Sequence, residues 1–61
     1  MTMFTDNIED AAQLPYFMAD EVAEVLGAKV VEHGKFHCIE TSRGYLTNDK
    51  FEIEARKLFG D

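Results

Sequence analysis

Between residues 35 and 60 the chain reads "KFHCIETSRGYLTNDKFEIEARKLFG", and this stretch limits the fold more than any other. Its first part alternates apolar and polar residues, as a half-buried strand does. Ser42, Arg43 and Gly44 supply turn chemistry, and the alternation then resumes at Tyr45. Phe36, Cys38 and Tyr45 are therefore expected on one face of a β-hairpin. After Thr47 the period changes. Thr47 or Asn48 can cap a closing helix in which Phe51, Ala55, Leu58 and Phe59 share a face and Gly60 provides the stop. Ile53 lies about 200° around that helix from Phe51, on its polar side, and is expected to be exposed. A strand over residues 50–55 is the rival local reading, because "KFEIEA" alternates strictly; the longer helical run favours the helix.

The first half is organised differently. Thr5 or Asp6 can cap a short first helix, with Asp6 and Glu9 spaced as a capping box and Phe4, Ile8, Ala11, Ala12 and Leu14 as its buried stripe. Pro15 interrupts it or begins a new turn. "YFMADEVAEVLG" then reads as a helix in which Ala19, Val22, Ala23 and Leu26 recur at helical spacing. Asp20, Glu21 and Glu24 occupy its other side, and Gly27 ends it. The following "AKVVEHGK" has two readings. Val30 and Val31 favour a strand that turns at His33 and Gly34 into the hairpin. Alternatively, residues 28–33 form a short third helix ended by Gly34.

A chain of 61 residues makes one domain, residues 1–61, with a small core. Cys38 is the one cysteine, so no disulfide can brace it; a lone thiol suits a reducing compartment. "MTMFTDNIED" carries no basic and apolar leader, and no run of about 18 apolar residues could span a bilayer. The expectation is a cytoplasmic protein with no membrane partner, monomeric or homodimeric.

Charge is divided unevenly. Residues 1–27 hold Asp6, Glu9, Asp10, Asp20, Glu21 and Glu24 and no Lys or Arg, which accounts for the whole net charge of −6. Residues 28–61 balance Glu32, Glu40, Asp49, Glu52, Glu54 and Asp61 against Lys29, Lys35, Arg43, Lys50, Arg56 and Lys57. Such asymmetry bears on partners and association rates.

"ADEVAEVLGAK" resembles the first helix of a helix-turn-helix in excisionase-like and other small regulators. "FHCIETSRGYLTNDKFEIEARKL" resembles the strand–wing–strand–helix end of winged helix-turn-helix proteins, with Tyr45-Leu46-Thr47 in the second wing strand. The order of elements is also similar to that of short phage-encoded winged-helix proteins that bind host proteins. The resemblance implies an α+β, winged-helix-like domain with two or three helices, a β-hairpin wing and a C-terminal helix. The alternative is a plain α–β–β–β–α or α–β-hairpin–α arrangement in which Val30 and Val31 join the sheet. In the winged-helix comparison, residues 28–34 match the recognition helix, yet they offer only Lys29 and His33 as contact residues.

The functional expectations follow from charge. DNA readers displace counterions with several Lys and Arg side chains, whereas this chain presents carboxylates and has a pI of about 4.7. The expected function is a small binding protein, a phage-type regulator or inhibitor that occludes a basic surface of a host protein such as RNA polymerase or a nucleic-acid-processing enzyme. Asp20, Glu21 and Glu24 would engage that surface, forming one negative face with Asp6, Glu9 and Asp10, while Arg43 and Tyr45 on the wing would orient it. The alternative is a DNA-binding winged-helix regulator using Lys29, Lys35 and Arg43. A subunit that folds only on its partner is a third possibility.

Neither a metal nor a catalytic site is expected. His33, His37 and Cys38 fall short of four ligands, and on a strand His37 and Cys38 point apart. The expected arrangement is a buried Cys38 beside an exposed His37. Cys38 with either histidine lacks an orienting third group and an oxyanion site, so the chain is not expected to be an enzyme or to hold a cofactor.

Overall fold

A computed structural model describes residues 2–60. Four antiparallel strands form one sheet: β1 (Phe4–Thr5), β2 (Lys29–His33), β3 (Phe36–Thr41) and β4 (Gly44–Leu46), in the spatial order β1-β4-β3-β2. Two α-helices, α1 (Tyr16–Leu26) and α2 (Asn48–Phe59), complete an α+β domain.

The sheet is organised around β3. A two-residue loop of Gly34 and Lys35 joins β2 to β3, and Gly34 adopts φ 63° while Lys35 keeps a negative φ, the pattern of a type II′ hairpin. Val30 then sits opposite Ile39, and Val31 opposite Cys38. The strand reading of residues 28–34 is therefore the observed one, and no third helix forms there.

Ser42 and Arg43 make the second hairpin loop, with Thr41 opposite Gly44. The Thr41 hydroxyl closes it, donating to the Gly44 carbonyl at 2.9 Å and accepting from the Arg43 amide at 3.1 Å. Gly44 is required twice over. Its φ is 120°, and a Cβ would lie 2.8 Å from the Thr5 carbonyl oxygen where β1 passes.

Residues 5–14 do not form the expected first helix. Phe4 and Thr5 pair with Leu46 and Tyr45, and a single 3-10 turn follows over Ile8–Asp10. Its cap is Asn7, whose side chain accepts from the Glu9 amide, so the Asp6–Glu9 capping box is not made. The backbone then runs extended beside β3. The Ala12 amide donates to the Leu46 carbonyl, and Leu14 and His37 exchange both of their backbone hydrogen bonds at 2.9 and 2.7 Å. Sheet partners thus satisfy backbone groups that a helix would have used internally. Burial follows the expected stripe only in part: Ala11, Ala12 and Leu14 are buried and Phe4 packs against the core, whereas Ile8, in the 3-10 turn, is not buried.

Because directly paired residues share a face, the register sorts the side chains. Phe4, Val30, Ile39 and Leu46 face the helices, where they meet Ala12, Leu14, Ala19, Val22 and Ala23 of the core. Val31, Phe36, Cys38 and Tyr45 face the other way, so the three residues expected on one hairpin face do share it.

On α2 the helix reading of residues 50–55 holds, and Ile53 is 37% exposed on its outer side. The inward face is rotated from the expected one. Phe51 and Leu58 pack on the core, but Glu54 is buried while Phe59 is exposed. Glu54 and Phe59 lie roughly 60° and 80° to opposite sides of Phe51, so turning one inward carries the other out. Thr47 is the N-cap, accepting from the Lys50 amide.

Candidate functional site

The carboxylates singled out from the sequence converge on α1. Pro15 precedes the helix with φ −61°, a value its ring imposes, and Gly27 ends it in the left-handed region at φ 67°. The Gly27 amide donates to Ala23 and Glu24, and the Ala28 amide to Ala23 at 2.8 Å. Ala19, Val22 and Ala23 are buried as expected, with the two small alanines letting the helix lie close to the sheet.

The outward arc carries Asp20, Glu21 and Glu24, all exposed. At 100° per residue Phe17 falls at the centre of this arc, flanked by Tyr16 and Val25. Phe17 is 66% exposed and Tyr16 57%. The exposed rings were missed in the sequence reading, although the same helical spacing that gathers the acids places Phe17 among them. Tyr16 is braced from the sheet, its ring meeting His37 edge-on with centroids 5.1 Å apart.

These acids contribute nothing visible to helix stability. The first turn of α1, where a carboxylate would favour the macrodipole, holds none, and the last turn holds Glu24 but no base. Asp20 and Glu24 are four residues apart with like charge. Among the described residues none of the three enters an ion pair, whereas α2 matches its charges internally: Lys50 with Glu54 at 2.9 Å, Lys57 with Glu54 at 3.8 Å and Arg56 with Glu52 at 3.2 Å. The Lys50 hydrogen bond holds the Glu54 carboxyl below its ordinary range, against the opposing effect of burial.

The other expected site residues are spread out. Asp6, Glu9 and Asp10 are exposed on the loop and 3-10 turn after β1, not on a helix. They share no element with the α1 acids. Arg43 sits at the β3–β4 turn with its guanidinium carbon 5.8 Å from the centroid of the Phe4 ring. With Leu26, Phe4 and Lys50 it borders an open groove of about 200 Å³ at the C-terminal end of α1. Tyr45 points to the opposite sheet face, so α1, Arg43 and Tyr45 do not form one surface. Lys29 and Arg43 lie at one end of β3 and Lys35 at the other, separated by roughly 17 Å of strand. The three bases make no patch.

Cys38 is fully buried on the sheet face away from the helices, and burial pushes its thiol pKa up while a hydrogen bond with Gln13 opposes this. His37 points to the helix side and is half-buried, not exposed as expected, because Tyr16 lies against it; its Nδ1 has no hydrogen-bond partner. No group of three or more His, Cys, Asp or Glu side chains among the described residues could hold a metal ion. No described helix is long and apolar enough to cross a membrane.

No protein-family model, curated protein or solved structure matches the chain.

Proposed function

We propose that the protein is a small acidic binding protein, a phage-type regulator or inhibitor that covers a basic surface of a host protein such as RNA polymerase or a nucleic-acid-processing enzyme. One observation carries this reading. Asp20, Glu21 and Glu24 stand together on the outer face of α1, exposed, without ion pairs among the described residues, and where the helix itself disfavours Glu24. An anionic helix face of this kind gains from a cationic partner through faster encounter and fixed register. The mechanism is occlusion and involves no chemical step. Arg43, at the far end of α1, would orient the partner; Tyr45 could serve only one that reaches around to the other sheet face.

The winged-helix-like relationship belongs to this proposal. Hairpin β3–β4 followed by α2 has the order of a wing and closing helix, while residues 28–34 hold strand β2 and its turn and not a recognition helix. Reading of duplex DNA through that segment forms no part of the proposed function.

The test is capture from host-cell lysate by the intact chain and by the Asp20→Lys, Glu24→Lys double variant, with a low-salt duplex-binding control. A specific protein retained by the former and lost by the latter supports the reading. Equal capture by both would remove α1 from the interface.

A further inference from the structure

We infer that the surface covered by this protein is one built to hold single-stranded nucleic acid, with Phe17 taking the place of a stacked base and the α1 carboxylates the places of phosphates. This deepens the reading of α1 as a docking face and rests on it.

Charge alone does not account for α1. A purely electrostatic contact has no use for an apolar ring, yet Phe17 stands at the centre of the acidic arc, 66% exposed and outside the core that Ala19, Val22 and Ala23 fill. Asp20 and Glu21 follow within about one turn and Glu24 within two, so the ring and the three carboxylates occupy roughly 10 Å of helix. Tyr16 adds a second exposed ring at the same end, held by its edge contact with His37.

An exposed ring at the head of a short row of anions is also what a single strand presents. Sites for single strands combine a cationic track for the backbone with aromatic platforms on which bases stack. Proteins that read a duplex meet phosphates and groove edges, where the base faces are already stacked and hidden. The pairing of ring and carboxylates therefore fits a single-strand cleft better than a duplex-binding surface.

The test uses the full chain and two synthetic peptides, Lys-Trp-Lys-Gly-Lys-Trp-Lys and its counterpart with leucine for tryptophan. The protein has no tryptophan, so peptide fluorescence reports stacking directly. Saturable binding of the tryptophan peptide is expected, with amide shifts centred on residues 16–24 and displacement of the protein by oligo(dT). The leucine peptide should bind about tenfold more weakly, and Phe17→Ala should bring the tryptophan peptide down to the same level. An unchanged melting temperature will show that Phe17→Ala folds normally. Absence of saturable binding, equal affinity for the two peptides, or wild-type binding by Phe17→Ala would each overturn the single-strand inference. In the last two cases, weakening by Asp20→Asn, Glu21→Gln and Glu24→Gln would leave the basic-partner reading standing. Insensitivity to those three changes as well would remove both.

Discussion

Nζ of Lys50 lies 2.9 Å from Oε2 of Glu54, one turn on along α2, and this contact holds a carboxylate that is only 7% exposed. Breaking it leaves a charge in a poor environment, which is more damaging than never having placed one there. Lys50→Met is expected to destabilise the fold by about 1–3 kcal/mol, and Glu54→Gln by less. Urea denaturation of both variants checks the order.

The same contact makes stability depend on pH. The Glu54 pKa is lowered in the folded state, chiefly by the Lys50 hydrogen bond. Its stabilisation is therefore complete above the unfolded carboxylate pKa of about 4.3 and is lost as pH falls through the lower folded value. Denaturation between pH 7 and 2 should show stability declining in that acid range. Glu54→Gln should flatten part of the decline.

Gly44→Ala is expected to destabilise the domain by more than about 1 kcal/mol. The new Cβ would meet the Thr5 carbonyl oxygen at 2.8 Å in a backbone region that L-residues rarely adopt. Detachment of β1 from β4 would be visible as faster amide exchange at Thr5 and Tyr45.

Glu24→Lys, by contrast, should stabilise the isolated protein by roughly 0.5–1 kcal/mol. It removes a like-charge pair with Asp20 and sets a cation in the last turn of α1. The same change should weaken partner binding, a trade between stability and function that thermal melts and capture assays can measure side by side.

Cys38 is fully buried, and its thiol pKa is raised by that burial. Thiol reagents at pH 8 should therefore label native protein far more slowly than protein in urea. Labelling at equal rates would show that the β3 face opens readily.

How much of this was legible in the sequence varied with the kind of signal. α1, the β3–β4 hairpin and α2 follow from periodicity and turn residues, because each carries its own repeat between clear stops. The stretch 5–14 reads as helix from sequence because its apolar spacing suits either structure. What decides it is the pairing of Phe4 with Leu46 and of Leu14 with His37, contacts that no local pattern reports. On α2, burial of Glu54 in place of Phe59 depends on Lys50 lying one turn away to neutralise it. At the candidate site the acids were visible as a charge run. Phe17 was overlooked, since an aromatic residue near a helix start is ordinarily assigned to the core.

The claim that α1 meets a cationic protein surface is tested most directly by titrating the purified chain against its captured partner, and against a DNA duplex, at about 50 and 200 mM salt. The partner complex should weaken as salt rises and disappear in the Asp20→Lys, Glu24→Lys variant, with no duplex binding at either salt. Tight duplex binding by the unaltered chain, or a partner complex indifferent to those two substitutions, would contradict it.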